Sequence, residues 1–427
     1  MTYARYFASI RSLAAGSQAV RILVACMGLG TVSQSLHAGV AYDFSEVDAI
    51  ATGALTGQNI TSPVSGFELL IMKDGEIVYR RSLGNWSLNR VGNADSATKT
   101  MSGAVIASLA YPLPGQTSLP FSLDTRLSTY FPQFTGEKAA ITIRQAFCHT
   151  SGIRASSLLG STTITLQQVA QTIATSLFAL NFSPGTAFSY GGTSMHVAGA
   201  AAELAAQTPW NTLFHQRITG PLGLTQTTFV LSSPTNPRIA GGCNSNALDF
   251  VRLMEMIRRR GLHATLTGDV RVLSEAAVDA ILTRQSGVGI PIVSSPLSGS
   301  SDYGIGIWLD RRNAQGAVTG ALAVGARGFS AWVDLDDGMS GAVATDLSNA
   351  QNVLGLTNLI RAAAERAIRA GVDCIGDFNN DGGITGDDIA AFFTAYECGA
   401  ASSDVNQDGG VTGDDIAAFF TAYQAGC

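Results

Sequence analysis

The sequence predicts an α+β body whose sheet is assembled from its N- and C-terminal segments, followed by a small α module of two loop–helix repeats. Three observations carry this. Strand-like runs stand at both ends of residues 42–372, with helical periodicity between them. Near the C-terminus a twelve-residue string occurs twice without a change. The length of 427 residues, with 46% hydrophobic and 14% charged, exceeds one small domain and is too apolar for a disordered chain.

Residues 1–41 read as a secretory signal peptide. No acidic residue precedes Asp43, and Arg5, Arg11 and Arg21 are followed by an apolar run from Ile22 to Val32 and then small residues. That run falls short of the roughly 20 residues a bilayer-spanning helix needs, so no transmembrane helix is expected. Cleavage fits after Ala38 or Ala41, and Ala41 is preferred. Leu23 to Cys26 also resembles a lipobox, but it follows Arg21 too closely to leave an apolar core. The chain is therefore expected to be periplasmic, at the cell surface or extracellular. Five cysteines remain after cleavage, an odd number that leaves at least one thiol. Cys148, in an apolar stretch, reads as a core residue. One pair is expected among Cys374, Cys398 and Cys427, with nothing to choose between them.

The body, 42–372, opens with two strand-like runs, Phe67 to Lys73 and Glu76 to Arg81, joined by the hairpin dipeptide Asp74-Gly75. Asp95 to Ala110 then reads as an Ala-rich helix. Helical periodicity returns at 166–179, 194–206, 247–260 and 348–370, and strand-like runs at 303–309, 320–324, 331–335 and 340–344. The formal net charge is −6, which disfavours nucleic acid as a partner. Residues 373–427 hold nine Asp and one Glu without a Lys or Arg, leaving the body close to neutral.

Chemistry is expected at the start of the Asp95 to Ala110 helix. The chain has only three lysines, and Lys99 stands three residues after Ser96. Spacing i, i+3 puts both side chains on one helical face. A lysine withdrawn from water gives up its proton more readily and can serve a neighbouring serine as base. The helix N-terminus favours the negative charge an alkoxide would carry. No G-x-S-x-G or H-E-x-x-H occurs, so those two hydrolase signatures are absent.

The C-terminal segment, 373–427, carries the repeat. TGDDIAAFFTAY runs from Thr385 to Tyr396 and again from Thr412 to Tyr423. Before each copy lies an acidic loop with oxygen side chains at positions 1, 3 and 5, a Gly at 6 and a carboxylate at 12. In the first these are Asp377, Asn379, Asp381, Gly382 and Asp388; in the second, Asp404, Asn406, Asp408, Gly409 and Asp415. Alternate oxygens that converge on one hard cation are what Ca²⁺ asks of such a loop, so two Ca²⁺ sites are expected.

Two resemblances follow from these motifs. The paired loop–helix repeats resemble a type I dockerin-like module, with Asp in place of Glu at position 12 and no incoming helix. The resemblance implies calcium and a cohesin-like or cell-surface partner, with a non-docking stalk as the alternative. The body carries S-x-x-K at Ser96, His149-Thr150-Ser151-Gly152, and Pro184-Gly185-Thr186-Ala187-Phe188-Ser189-Tyr190 in that order. In this it resembles the serine β-lactamase and penicillin-binding-protein-like hydrolases, in particular the class C β-lactamase-related branch with its esterases and D-aminopeptidases.

That resemblance implies an antiparallel sheet flanked by helices, an all-helical subdomain, and a site between them. It implies Ser96 as acylated nucleophile, Lys99 as its proton partner, Tyr190 as general base, and the Ser96 and Ala326 amides beside Gly325 as oxyanion hole. His149 reads as structural and hydrogen-bonded. Two positions depart from the family pattern. Tyr190-Gly191-Gly192 lacks the Asn of Y-x-N, and Ala323-Val324-Gly325 lacks the basic or hydroxyl residue that binds a substrate carboxylate. Arg327 is a candidate substitute two residues on. The departures weaken β-lactams and D-peptides as substrates more than a simple ester, since one charge-assisted contact is worth roughly 1.5–3 kcal/mol. The expectation is an exported serine hydrolase of small acyl or ester substrates, with no cofactor for catalysis. The alternatives are a catalytically silent body in a calcium-dependent attachment protein, and a β-lactamase or D-peptidase.

Overall fold

The computed structural model describes residues 39–427 apart from 298, 348–349, 371, 380–382, 407 and 426–427. Residues 1–38 of the expected signal peptide, the expected ligand Asp381, Gly382 and Cys427 lie outside the described residues. Two compact units are formed, one of Val40–Asp373 and one that includes Cys374–Cys427.

In the larger unit the sheet has six strands: β1 (Gly66–Lys73), β2 (Glu76–Gly84), β3 (Trp308–Arg312), β4 (Val318–Val324), β5 (Ser330–Asp334) and β6 (Met339–Ala344). Their spatial order is β3-β4-β5-β6-β1-β2, every pair antiparallel. The N-terminal hairpin thus completes a C-terminal meander, with Lys73 opposite Met339 and Glu68 opposite Ala344. Asp74 and Gly75 take φ of 51° and 99°, the left-handed pair a two-residue type I′ turn requires. β5 and β6 are buried along their whole length, so both faces of the sheet are covered there. Consecutive apolar residues, Ala331 to Val333 in β5 and Ala342 to Ala344 in β6, accordingly replace strict alternation. The Ala247–Arg258 helix packs on β1, β5 and β6. The Ala350–Arg369 helix is tied to β5 by Ser330 to Thr357 at 2.7 Å and by Arg361, which donates to the Val333 carbonyl at 2.9 Å.

The remaining helices gather around Thr98–Ala110, of which every residue from Thr98 to Leu109 is buried. Thr193–Ala206 and Glu275–Leu282 pack against it, and Ile143–Phe147 and Leu166–Thr175 pack against Thr193–Ala206. Thr142 and Thr165 close capping boxes with Gln145 and Gln168, which satisfy amides at those helix starts. This helical part, the sheet, and the Cys148 core position agree with the expectations above; Cys148 and Cys243 are both fully buried.

Two expectations need correction. The strand expected at 303–309 is found at Trp308–Arg312, with only a Tyr303 to Trp308 bridge before it. Gly304 and Gly306 cross helix backbones so closely that a Cβ would lie 1.9 Å from the Ile281 carbonyl oxygen and 2.2 Å from that of Lys99. The helix expected to reach 179 stops at Thr175, where Ser176 turns extended and its carbonyl accepts from Lys138 Nζ at 2.5 Å. The Trp210–Phe214 and Glu275–Leu282 helices are short and were not foreseen.

In the smaller unit the two copies form helices Gly386–Glu397 and Gly413–Ala425. Phe392 and Phe419, equivalent in the repeat, stack at 4.2 Å with planes 2° apart, and Phe378 meets both edge-on. A core of this size is small, and the repeat builds it from one apolar side of each helix. Among the described residues no helix is long and apolar enough to cross a membrane.

Candidate active site

Asp95–Ala97 form a single 3₁₀ turn that leads into the Thr98–Ala110 helix, so Ser96 stands at the helix entrance and Lys99 one turn inside. Lys99 is 3% exposed. Its Nζ donates to Ser96 Oγ at 3.0 Å and to the Ala240 carbonyl at 2.9 Å. The same Nζ lies 4.5 Å from the centre of the Tyr190 ring. The three side chains read from the motifs are therefore brought together.

Tyr190 is held from several sides. Its ring stacks on Trp308 at 5.4 Å and meets His149 at 4.5 Å and Tyr303 at 6.2 Å. Its amide donates to the Ser294 carbonyl at 3.0 Å. His149 adopts φ 65° and is 2% exposed. Its Nδ1 accepts from the Gly191 amide at 3.3 Å, which assigns the proton of the neutral ring to Nε2. Burial, with the nearby Lys99 charge second, holds its pKa well below the ordinary histidine value. The histidine thus supports the Tyr190–Gly191 backbone, in keeping with its structural reading.

Gly325 and Ala326 open the turn after β4. The Gly325 amide donates to the Phe329 carbonyl at 2.7 Å, and a Cβ at this position would lie 2.4 Å from the Ala94 carbonyl oxygen. Only glycine allows that approach. Among the described residues, the amides of Ser96 and Ala326 donate to no protein acceptor, which leaves both available to a ligand. Ser96, Tyr190, Gly325 and Ala326 line one cavity of about 110 Å³. Its other walls are mostly apolar, from Pro296, Leu297, Val324, Phe329 and Leu354, with Ser330 as the polar member. Larger hollows of about 310 and 480 Å³ lie elsewhere in this unit; in the first Lys138 meets only the backbone carbonyl of Ser176, and in neither does a lysine bond a serine hydroxyl.

Arg327 does not take up the role of a carboxylate-binding cation. Its Nε and Nη2 are bonded to the Asp95 carboxylate at 2.9 and 2.7 Å, and its charge also faces Asp346 at 3.3 Å. The departure at 191–192 has a packing side: a Cβ on Gly192 would touch Ala240 Cβ at 3.1 Å and Leu159 at 3.3 Å. An Asn there would be crowded. Trp308, Tyr303 and the apolar walls could not be read from the sequence, because they meet the motif residues only through folding.

Among the described residues, cation-binding candidates fall in two places. Asp334, Asp337 and Glu365 approach one another in the larger unit, but Arg311, Arg361 and Arg369 already pair with them. In the smaller unit the position-12 residues Asp388 and Asp415 are fully buried in side chain and backbone. Asp388 accepts from the Asn379 and Thr385 amides at 3.1 and 2.7 Å, and Asp415 from Asn406 and Thr412 at 3.3 and 2.7 Å. Asp404 accepts from the Asp408 and Gly409 amides at 3.1 and 3.0 Å, and Gly409 has φ 93°. The position-12 carboxylate closes both loops in the same way, with Asn379 in the first answering Asn406 in the second.

A family model described as Beta-lactamase matches residues 54–365. Several solved structures share the fold. A putative β-lactamase from Bacteroides dorei DSM 17855 superposes with TM-score 0.65 at 22% identity, covering 77% of this chain and 99% of that one. A penicillin-binding protein homologue from Caulobacter crescentus gives 0.57 at 18% identity, covering 76% and 99%. A family VIII carboxylesterase also gives 0.57, at 17% identity, covering 75% and 97%. A search of curated proteins finds no match.

Proposed function

The chain belongs to the β-lactamase family, and from that premise we propose that it is an exported serine hydrolase acting on uncharged carboxylic esters or related acyl compounds. The observation that carries this is the 3.0 Å contact from Lys99 Nζ to Ser96 Oγ at the edge of a cavity shared with Tyr190 and Ala326.

In this reading Ser96 Oγ attacks the substrate's acyl carbon while its proton passes to the Lys99–Tyr190 pair. The carbonyl oxygen gains negative charge and is held by the Ser96 and Ala326 amides, whose lack of a protein acceptor supports the role. Collapse breaks the bond to the leaving alcohol, which takes the proton, and leaves an acyl group on Ser96. Water then attacks that ester by the same steps in reverse order, freeing the acid and restoring the serine. The mostly apolar walls and the engagement of Arg327 with Asp95 favour a neutral acyl group over one that bears a carboxylate.

The smaller unit adds a calcium-dependent attachment function in this reading. The donor set suits a hard cation: oxygen groups at Asp377, Asn379, Asp388, Asp404, Asn406, Asp408 and Asp415, the last on a carboxylate pre-oriented by two amides. Bound Ca²⁺ would draw each acidic loop around itself and rigidify the helix pair that a cohesin-like or cell-surface partner would meet.

A second reading, a silent body that serves only attachment, is favoured by Gly192 and Ala323 where the family pattern has functional side chains. Hydrolysis of p-nitrophenyl butyrate by the secreted protein and by Ser96→Ala separates the two. Turnover lost in the variant supports the hydrolase; none in either folded protein supports attachment alone.

A further inference from the structure

We propose that Asp95 and Arg327 form a positioning pair that sets the spacing of the two oxyanion amides, an inference that rests on the serine-hydrolase reading of Ser96. Their places in the chain motivate it. Asp95 immediately precedes Ser96, and Arg327 immediately follows Ala326. A bond between these two residues therefore fixes the distance between the amides that flank the reacting carbonyl.

The bond is a strong one. Arg327 donates to the Asp95 carboxylate three times, from its backbone N at 3.1 Å, Nε at 2.9 Å and Nη2 at 2.7 Å. A guanidinium fork on a carboxylate fixes direction as well as distance. Asp346 supports it from behind, 3.3 Å from Arg327 Nε and accepting from Asn93 Nδ2 at 3.0 Å. The grip also restrains the backbone. Asp95 has φ 46°, a left-handed conformation uncommon outside glycine and one that Asp tolerates better than most residues. On the other strand Gly325 lets the turn rest directly on the Ala94 carbonyl, so the two backbones touch where the fork binds them.

Neither charged side chain lines the cavity beside Ser96. Their action is exerted through the backbone, and the pair positions rather than catalyses. It also explains what the chain does with Arg327, two residues beyond the third motif: the charge is spent on geometry and not on a substrate carboxylate. Donors displaced by about 1 Å lose roughly 100-fold in rate, so loosening the pair should fall on kcat.

The test uses the whole protein, with kcat and KM for p-nitrophenyl butyrate, the rate of fluorophosphonate labelling, and the melting temperature. Arg327→Gln and Asp95→Asn should each lower kcat and the labelling rate by about 10- to 100-fold, with KM within about threefold. The double variant should be no worse than the worse single one, because both remove the same bond. Arg327→Lys guards against a folding defect: it keeps the charge without the fork and should melt near the wild type while staying slow. Wild-type kcat in folded Arg327→Gln or Arg327→Lys, or losses that multiply in the double variant, would overturn the pairing alone. A wild type that neither labels nor turns over would overturn the hydrolase reading and the pairing with it.

Discussion

Lys99 is almost fully withdrawn from solvent and has the Ser96 hydroxyl and the Ala240 carbonyl as its hydrogen-bond partners. At that position its loss should be felt in chemistry before stability. Lys99→Ala is expected to reduce kcat for a p-nitrophenyl ester by about 10²–10⁴-fold, the range for a removed proton-transfer group. Tyr190→Phe keeps the stack on Trp308 and removes only the hydroxyl, so a fall in kcat of at least about 100-fold with little change in melting temperature is expected. Steady-state kinetics beside thermal melts would check both. The serine and lysine were legible because their relation is local: i, i+3 on a helix needs no tertiary structure. Trp308 was not legible as the floor beneath Tyr190, since 118 residues separate the two in sequence. The role given to Arg327 failed for a related reason. Its partner Asp95 is 232 residues away, and a free cation and a paired one look the same in a string of letters.

At the scale of elements, the turn after β4 and the entrance of the Thr98–Ala110 helix are pressed together with no room for a side chain. Gly325→Ala would place a Cβ 2.4 Å from the Ala94 carbonyl oxygen. Overpacking of this kind costs about 1–3 kcal/mol. The variant should melt several degrees lower and lose most of its turnover, because relief of the clash moves the Ala326 amide. The hairpin at Asp74-Gly75 and strands β4, β5 and β6 of the C-terminal meander could be read in advance, because turn chemistry and apolar runs are local signals. The segment from Tyr303 to Ile307 could not. Its residues have a strand's composition, yet two glycines are there to cross helix backbones, and that demand belongs to the neighbours.

For the molecule as a whole, acid should destabilise the larger unit. His196 is fully buried, and burial pulls its pKa down to about 4 despite a 2.8 Å contact with Asn236. The unfolded chain takes up the proton near pH 6.5, so between there and about pH 4 the unfolded state binds more protons and stability falls as pH falls. Burial of His149 acts in the same direction. Melting temperature should therefore drop as pH is lowered from 7 to 5, and His196→Gln should flatten the slope. For the smaller unit, calorimetry with and without Ca²⁺ should show a rise in its unfolding temperature. A hundredfold excess over Kd stabilises by about 2.7 kcal/mol. Asp388→Ala with Asp415→Ala should abolish that response.

The central claim is that Ser96 is a nucleophile, and intact mass after treatment with a fluorophosphonate tests it most directly. The account predicts one adduct on the wild type, mapped by peptide digestion to Ser96 and absent in Ser96→Ala. A folded wild type that carries no adduct, or one that maps to another serine, would contradict it.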